Sequence, residues 1–160
     1  MVDPAAPALL QSVLTGLAST PSADAAIDLL RQHGRALLGA DGIAVVRRDG
    51  DLTTYVAEDA IGPLWNGGSF PISSCVAGTA ILARETLVIE DITTAPGIPL
   101  NLYLATFVKS MVVAPAMTPS GEAVGALCAY WRMPGEAPAA ARATAEALAE
   151  RLAGAMRPTT

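Results

Sequence analysis

The stretch Phe70–Trp131, FPISSCVAGTAILARETLVIEDITTAPGIPLNLYLATFVKSMVVAPAMTPSGEAVGALCAYW, decides how this chain folds. Ser73 or Ser74 is placed to cap a short helix over Cys75–Arg84. Gly78 lies inside that helix, where it costs stability relative to alanine, so close packing against the sheet or a ligand is expected there. Glu85-Thr86 turns the chain into a strand over Leu87–Glu90 that Asp91 ends. Thr93–Pro99 is irregular, and Pro99 can start a single helical turn through Tyr103. In the strand Lys109–Met117, alternation puts Ser110, Val112, Ala114 and Ala116 on one face and Met111, Val113 and Met117 on the other. Both faces are largely apolar, which predicts a central strand covered on both sides. Pro115 marks a bulge or the fading end of pairing. Pro119-Ser120-Gly121 makes a hairpin turn into Ala123–Trp131. There Ala126, Cys128 and Tyr130 point one way, and Leu127, Ala129 and Trp131 the other.

Upstream, Asp3-Pro4 is an N-cap and first-turn pair for a helix over Ala5–Ala18, with Leu10, Val13, Leu14 and Leu17 on its apolar side. Thr20-Pro21-Ser22 breaks it and can cap a second helix over Ala23–Leu38, closed by Gly39 and Gly42. Ile43–Val46 and Leu52–Glu58 form a hairpin about Asp49-Gly50. Thr53, Tyr55 and Ala57 alternate against Thr54 and Val56, and the polarity of this return strand puts it near an edge. Between Asp59 and Gly68 the pattern fails at Gly62-Pro63 and Gly67-Gly68, leaving a loop that either folds over a pocket as a lid or is a connection tacked down by Trp65. Downstream, Ala141, Ala145, Leu148, Leu152 and Ala155 form a narrow apolar seam in a helix over Ala139–Met156.

These runs resemble a GAF domain, the small-ligand sensor module of many signalling proteins, and among them those of bacterial sensor histidine kinases. The likeness lies in Cys75-Val76-Ala77-Gly78-Thr79-Ala80, Ile89-Glu90-Asp91-Ile92, Ile98-Pro99 and Thr106-Phe107-Val108-Lys109-Ser110-Met111. It implies an α+β, PAS-related fold in a single domain over 1–160. A central antiparallel sheet of five or six strands (43–131) would carry the N-terminal helices (5–38) and the C-terminal helix (139–156) on one face. The Cys75 helix and the Thr93–Thr106 segment would enclose a pocket on the other. The pocket set is Phe70, Cys75, Thr79, Asp91, Tyr103, Phe107, Ser110, Cys128 and Tyr130. Asp91 and Ser110 would supply polarity, and the aromatic rings stacking surface.

Composition narrows the function classes. The 160 residues are 52% hydrophobic and 16% charged, enough for a real core and unlike a disordered chain. A net charge of −5 without a basic cluster argues against unaided binding to nucleic acid or an anionic membrane. No apolar run reaches the roughly 18 residues of a spanning helix. Met1-Val2-Asp3-Pro4 lacks the basic start of a signal peptide, so a cytoplasmic location is expected. Two cysteines and the single histidine, His33, make no persuasive zinc site, and no metal is expected.

Catalysis needs a nucleophile, a base and an orienting group, and no such set is legible. His33 reads as a surface or partly packed helix residue, and Glu90-Asp91 alternate across a strand, so no catalytic residue is assigned. Cys75 at a helix start could be a reactive thiol or a small buried apolar residue; Cys128 reads as core. One branch of the GAF fold reduces free methionine-R-sulfoxide with cysteines around its pocket, but the chain does not match that branch's full cysteine set. Neither cysteine is followed by the histidine of bilin-binding GAF domains, so no covalent bilin is expected. The Asn-Lys-Phe-Asp-Glu run of cyclic-nucleotide GAF domains is absent. The leading expectation is a non-catalytic sensory domain for an unknown small molecule. It would dimerise through Leu10/Leu14/Leu17 and Leu148/Leu152 and act on a histidine kinase or another effector. The alternatives are a thiol-dependent methionine-R-sulfoxide reductase and a ligand-free dimerisation module.

Overall fold

A computed structural model describes residues 6–20 and 22–156. The proposed Asp3-Pro4 cap and Pro21 lie outside the described residues. The elements run α1 (Ala6–Ala18), α2 (Ala23–Leu38), β1 (Gly42–Asp49), β2 (Leu52–Ala60), β3 (Ser69–Pro71), a 3₁₀ turn (Ile72–Ser74), α3 (Val76–Ala83), β4 (Leu87–Ile89), α4 (Asn101–Leu104), β5 (Ser110–Met117), β6 (Ala123–Trp131) and α5 (Ala141–Met156). The strands form one six-stranded antiparallel sheet in the order β3-β2-β1-β6-β5-β4. The α+β architecture is the expected one. Its sixth strand, β3, is a three-residue edge strand paired with Leu52–Thr54.

The sheet is buried on both faces. On one side α1, α2 and α5 cover a core that includes Ile43, Val45, Val112, Ala114, Leu127, Ala129 and Trp131. On the other side α3, α4 and their flanking segments cover Ala44, Val46, Met111, Val113, Cys128 and Tyr130. Period-two alternation along β1, β5 and β6 therefore feeds two separate cores. The helix layer is pinned by a long-range bond: Trp131 Nε1–H donates to the Gly39 carbonyl at 2.7 Å, where α2 ends in a left-handed residue. Ser22 caps α2, its Oγ accepting the Ala25 N–H at 3.1 Å.

The alternation fails in β2. Val45 pairs with Ala57 but Val46 with Tyr55, so Val56 is an extra residue in a bulge. Tyr55 consequently joins the α3 side and Ala57 the helix-layer side, where a regular strand would place them together. Pro115 sits in the β5–β6 ladder opposite Ala126. Pairing with β4 stops at Val113, two residues earlier, so on that side the missing donor interrupts no ladder.

The seam on α5 also needs correction as a dimer surface. Ala141, Ala145, Leu148 and Leu152 are buried in the chain's own core, with Leu148 and Leu152 both at 0% exposure, and Leu17 of α1 joins the same core. The coiled-coil-like spacing is used within the molecule, and these side chains are not free to meet a second copy.

Candidate functional site

The α3 side of the sheet gathers an aromatic cluster with two thiols. Tyr55 rises from β2, Tyr130 and Cys128 from β6, Tyr103 from α4, and Cys75 from the start of α3; all five are buried. Trp65 arrives from the loop between β2 and β3 and meets all three of the chain's tyrosines edge to face. Its ring centroid is 5.6 Å from Tyr55, 5.1 Å from Tyr103 and 5.7 Å from Tyr130. Phe70 extends the cluster, 5.5 Å from Tyr55 at 88°. Such edge contacts suit ring quadrupoles and add to the burial of apolar area.

Cys75 is the N-cap of α3, correcting the expectation that Ser73 or Ser74 caps it. The serines instead belong to the preceding 3₁₀ turn. Cys75 Sγ accepts from the Gly78 N–H at 3.4 Å and lies 3.2 Å from Thr53 Oγ1, itself bonded to the Phe70 carbonyl at 3.1 Å. Burial pushes the Cys128 thiol up to about 12, opposed by its hydrogen bond with Tyr130. Burial likewise raises Tyr55, Tyr103 and Tyr130 above the usual phenol range, so these three phenols and the Cys128 thiol are uncharged at neutral pH.

The proposed pocket residues separate into two groups. Phe70, Cys75, Tyr103, Phe107, Cys128 and Tyr130 all belong to this side of the sheet. Phe107 sits over the start of β1, its ring tip 2.8 Å from where a Cβ on Gly42 would lie. Three others are placed elsewhere. Thr79 is on the exposed face of α3, with its hydroxyl donating to the Cys75 carbonyl at 3.1 Å. Asp91 turns onto its own loop, where Oδ1 accepts from the Thr93 N–H at 2.9 Å and the Thr93 hydroxyl at 2.6 Å. Those bonds hold its carboxyl below the usual range. Ser110 is buried with its hydroxyl on the Met133 carbonyl at 2.8 Å; it pairs with Trp131 beside the Met111–Tyr130 pair but alternates with Val112 and Ala114 onto the helix-layer face, near Val88 and Arg142. Its polarity suggested a pocket role, but its needs are met by backbone. Tyr55, Trp65 and Thr53 complete the site and were not in the sequence-derived set.

Among the described residues, no three His, Cys, Asp or Glu side chains converge as metal ligands would. His33 is half-buried on α2, as a packed helix residue would be. Among the described residues no helix is long and apolar enough to cross a membrane.

A six-stranded antiparallel sheet with helices on one side and a buried aromatic cluster under short helices on the other is an α+β fold of the sensor-module type. The GAF domain family profile matches residues 22–156, and the chain belongs to that family. No curated protein sequence matches it. Solved structures agree on the fold. The GAF domain of Acinetobacter phosphoenolpyruvate-protein phosphotransferase aligns with a TM-score of 0.79 at 16% identity, covering 97% of this chain and 94% of that one. Free methionine-R-sulfoxide reductase from Neisseria meningitidis, solved with its substrate, aligns at 0.80 and 18% identity over 98% and 92%. A GAF sensor protein from Burkholderia vietnamiensis aligns at 0.78 and 18% over 94% and 92%. GAF domains and an enzyme thus share the fold, and at these identities the likeness speaks to fold alone.

Proposed function

We propose that the chain is a non-catalytic sensory domain whose aromatic interior takes a small molecule and whose helix layer relays occupancy to an effector. One observation carries this reading: the same strands line both cores. Met111 and Val113 face the aromatic site while Val112 and Ala114 lie under the helices, and Cys128 and Tyr130 alternate with Leu127, Ala129 and Trp131. A displacement of Tyr130 thus acts directly on Trp131, and through its bond to Gly39 on the end of α2. Close-packed cores transmit such shifts rather than absorbing them. The test is amide hydrogen exchange along α5 before and after exposure to a small-molecule extract. Changed protection in α5 upholds the relay; unchanged α5 amides alongside altered α3 amides contradict it.

The effector in this reading is a histidine kinase or another signalling chain, in the cytoplasm. A homodimer forms through the half-buried Leu9, Leu10 and Leu14 of α1, since the α5 seam is already used. Light scattering at high protein concentration checks it, and a monomer there removes it. The reductase reading is disfavoured because both thiols are buried and Cys128 is held in its protonated form, whereas the thiolate is the nucleophile. Turnover of free methionine-R-sulfoxide by the wild type, lost in Cys75→Ser, would reverse this.

A further inference from the structure

We propose that the Trp65 indole is a built-in occupant of the ligand site, and that the ligand displacing it is an uncharged, flat aromatic or heteroaromatic molecule of about indole size. This rests on the sensor reading above and specifies what the sensor takes.

Three observations converge. First, Trp65 belongs to neither the sheet nor a helix. It is a half-buried loop residue, yet its ring meets buried tyrosines from β2, α4 and β6 at once. A side chain supplied by a loop and seated against three rigid elements fills the place a ligand would fill. Second, one side chain fastens the loop on both sides of Trp65. The half-buried Glu58 carboxylate accepts the Leu64 N–H at 3.1 Å and the Asn66 N–H at 2.8 Å, one on each side of the indole. Gly62-Pro63 precedes this latch. A tight turn follows it, closed by the Gly68 N–H on the Trp65 carbonyl at 2.8 Å, with Gly67 in the left-handed region at φ +85°. Past the turn the Gly67 N–H donates to the Tyr55 carbonyl at 2.8 Å and the Tyr55 N–H to the Gly68 carbonyl at 2.9 Å, so that end is held by backbone while Glu58 is the side-chain anchor on the Trp65 segment, with a bend on either side of it. Third, the wall chooses the ligand. The buried side chains around the indole are aliphatic groups, tyrosine rings and two thiols, with Thr53 the buried hydroxyl beside Cys75, and none of them is charged. A charged ligand would lose its hydration with no buried counter-charge to replace it. A flat ring keeps the edge-to-face contacts that Trp65 now makes, and the phenol hydroxyls can meet a polar atom on its rim.

The latch and the indole hold the closed state together, so weakening either frees the site. Indole is the probe, titrated calorimetrically into wild type, Trp65→Ala and Glu58→Ala. The expected result is binding to Trp65→Ala at least about ten-fold tighter than to wild type, because no internal competitor remains. Glu58→Ala, with Trp65 present but unlatched, also binds indole more tightly than wild type, whereas a merely structural role for Glu58 would weaken binding. Indole-3-acetate, the same ring with a carboxylate, binds Trp65→Ala at least about ten-fold more weakly than indole. Equal binding of indole to Trp65→Ala and wild type, weaker binding to Glu58→Ala, or equal binding of the carboxylate would each overturn the proposal. Should Trp65→Ala fail to fold, Glu58→Ala carries the test. The two readings fail separately. Indole seated in Trp65→Ala with α5 exchange unchanged upholds the ligand class and sinks the relay. A charged or non-aromatic molecule found seated on the wild type sinks the ligand class and leaves the relay standing.

Discussion

Gly78 shows how one residue holds the site's floor in place. A Cβ there would lie 1.8 Å from the Ile72 carbonyl oxygen, a backbone atom that cannot swing aside. Gly78→Ala is therefore expected to destabilise the domain by about 2–3 kcal/mol in chemical denaturation, well beyond a helix-propensity change and of the opposite sign. The sequence shows a costly glycine in a helix, and close packing follows from that; the 3₁₀ turn as its neighbour does not. Cys128 adds a pH dependence. Its folded value, about 12, lies above the ordinary thiol value of 9.0, so its contribution is complete below the unfolded value and is lost as pH rises toward the folded one. Between about pH 8 and about pH 10 this removes about 1 kcal/mol, since the unfolded chain releases the proton first. Cys128→Ala should lose less stability over that interval; an identical slope would contradict the buried-thiol assignment.

At the scale of elements, α5 ties the helix layer to the sheet. Leu148→Ala should cost about 2–5 kcal/mol in the isolated chain, because the side chain is wholly buried within it. A loss that appears only at concentrations where copies associate would return the seam to an interface. Ser22→Ala should cost about 1 kcal/mol through the α2 cap. Both terminal helix patterns and most strands were legible from periodicity, because apolar spacing reflects burial whatever the partner. The partner itself was not: the seam of α5 reads the same whether it meets a second copy or its own sheet. Two element details escaped for local reasons. The bulge at Val56 leaves no mark on residue alternation, so Tyr55 and Ala57 read as neighbours on one face. Cysteine is outside the usual set of N-caps, so the serines before it looked the better choice.

For the whole molecule, the division into two cores on either side of one sheet is the functional statement. Alternation in β5 and β6 announces both faces, which is why Cys128 and Tyr130 were separable from Leu127 and Trp131 by sequence alone. Thr79, Asp91 and Ser110 stood in the pocket set, yet each is satisfied by nearby hydrogen bonds, on an exposed helix face, on a loop and on the opposite face of the sheet in turn. Trp65 escaped because a loop carries no period, and only the folded chain brings it against three tyrosines. The most direct test of the account is native mass spectrometry of the chain after exposure to a small-molecule extract, wild type beside Tyr103→Ala and Tyr130→Ala. The account predicts a discrete added mass on the wild type that both variants lose. An added mass retained equally by both, or none on the wild type, would contradict it.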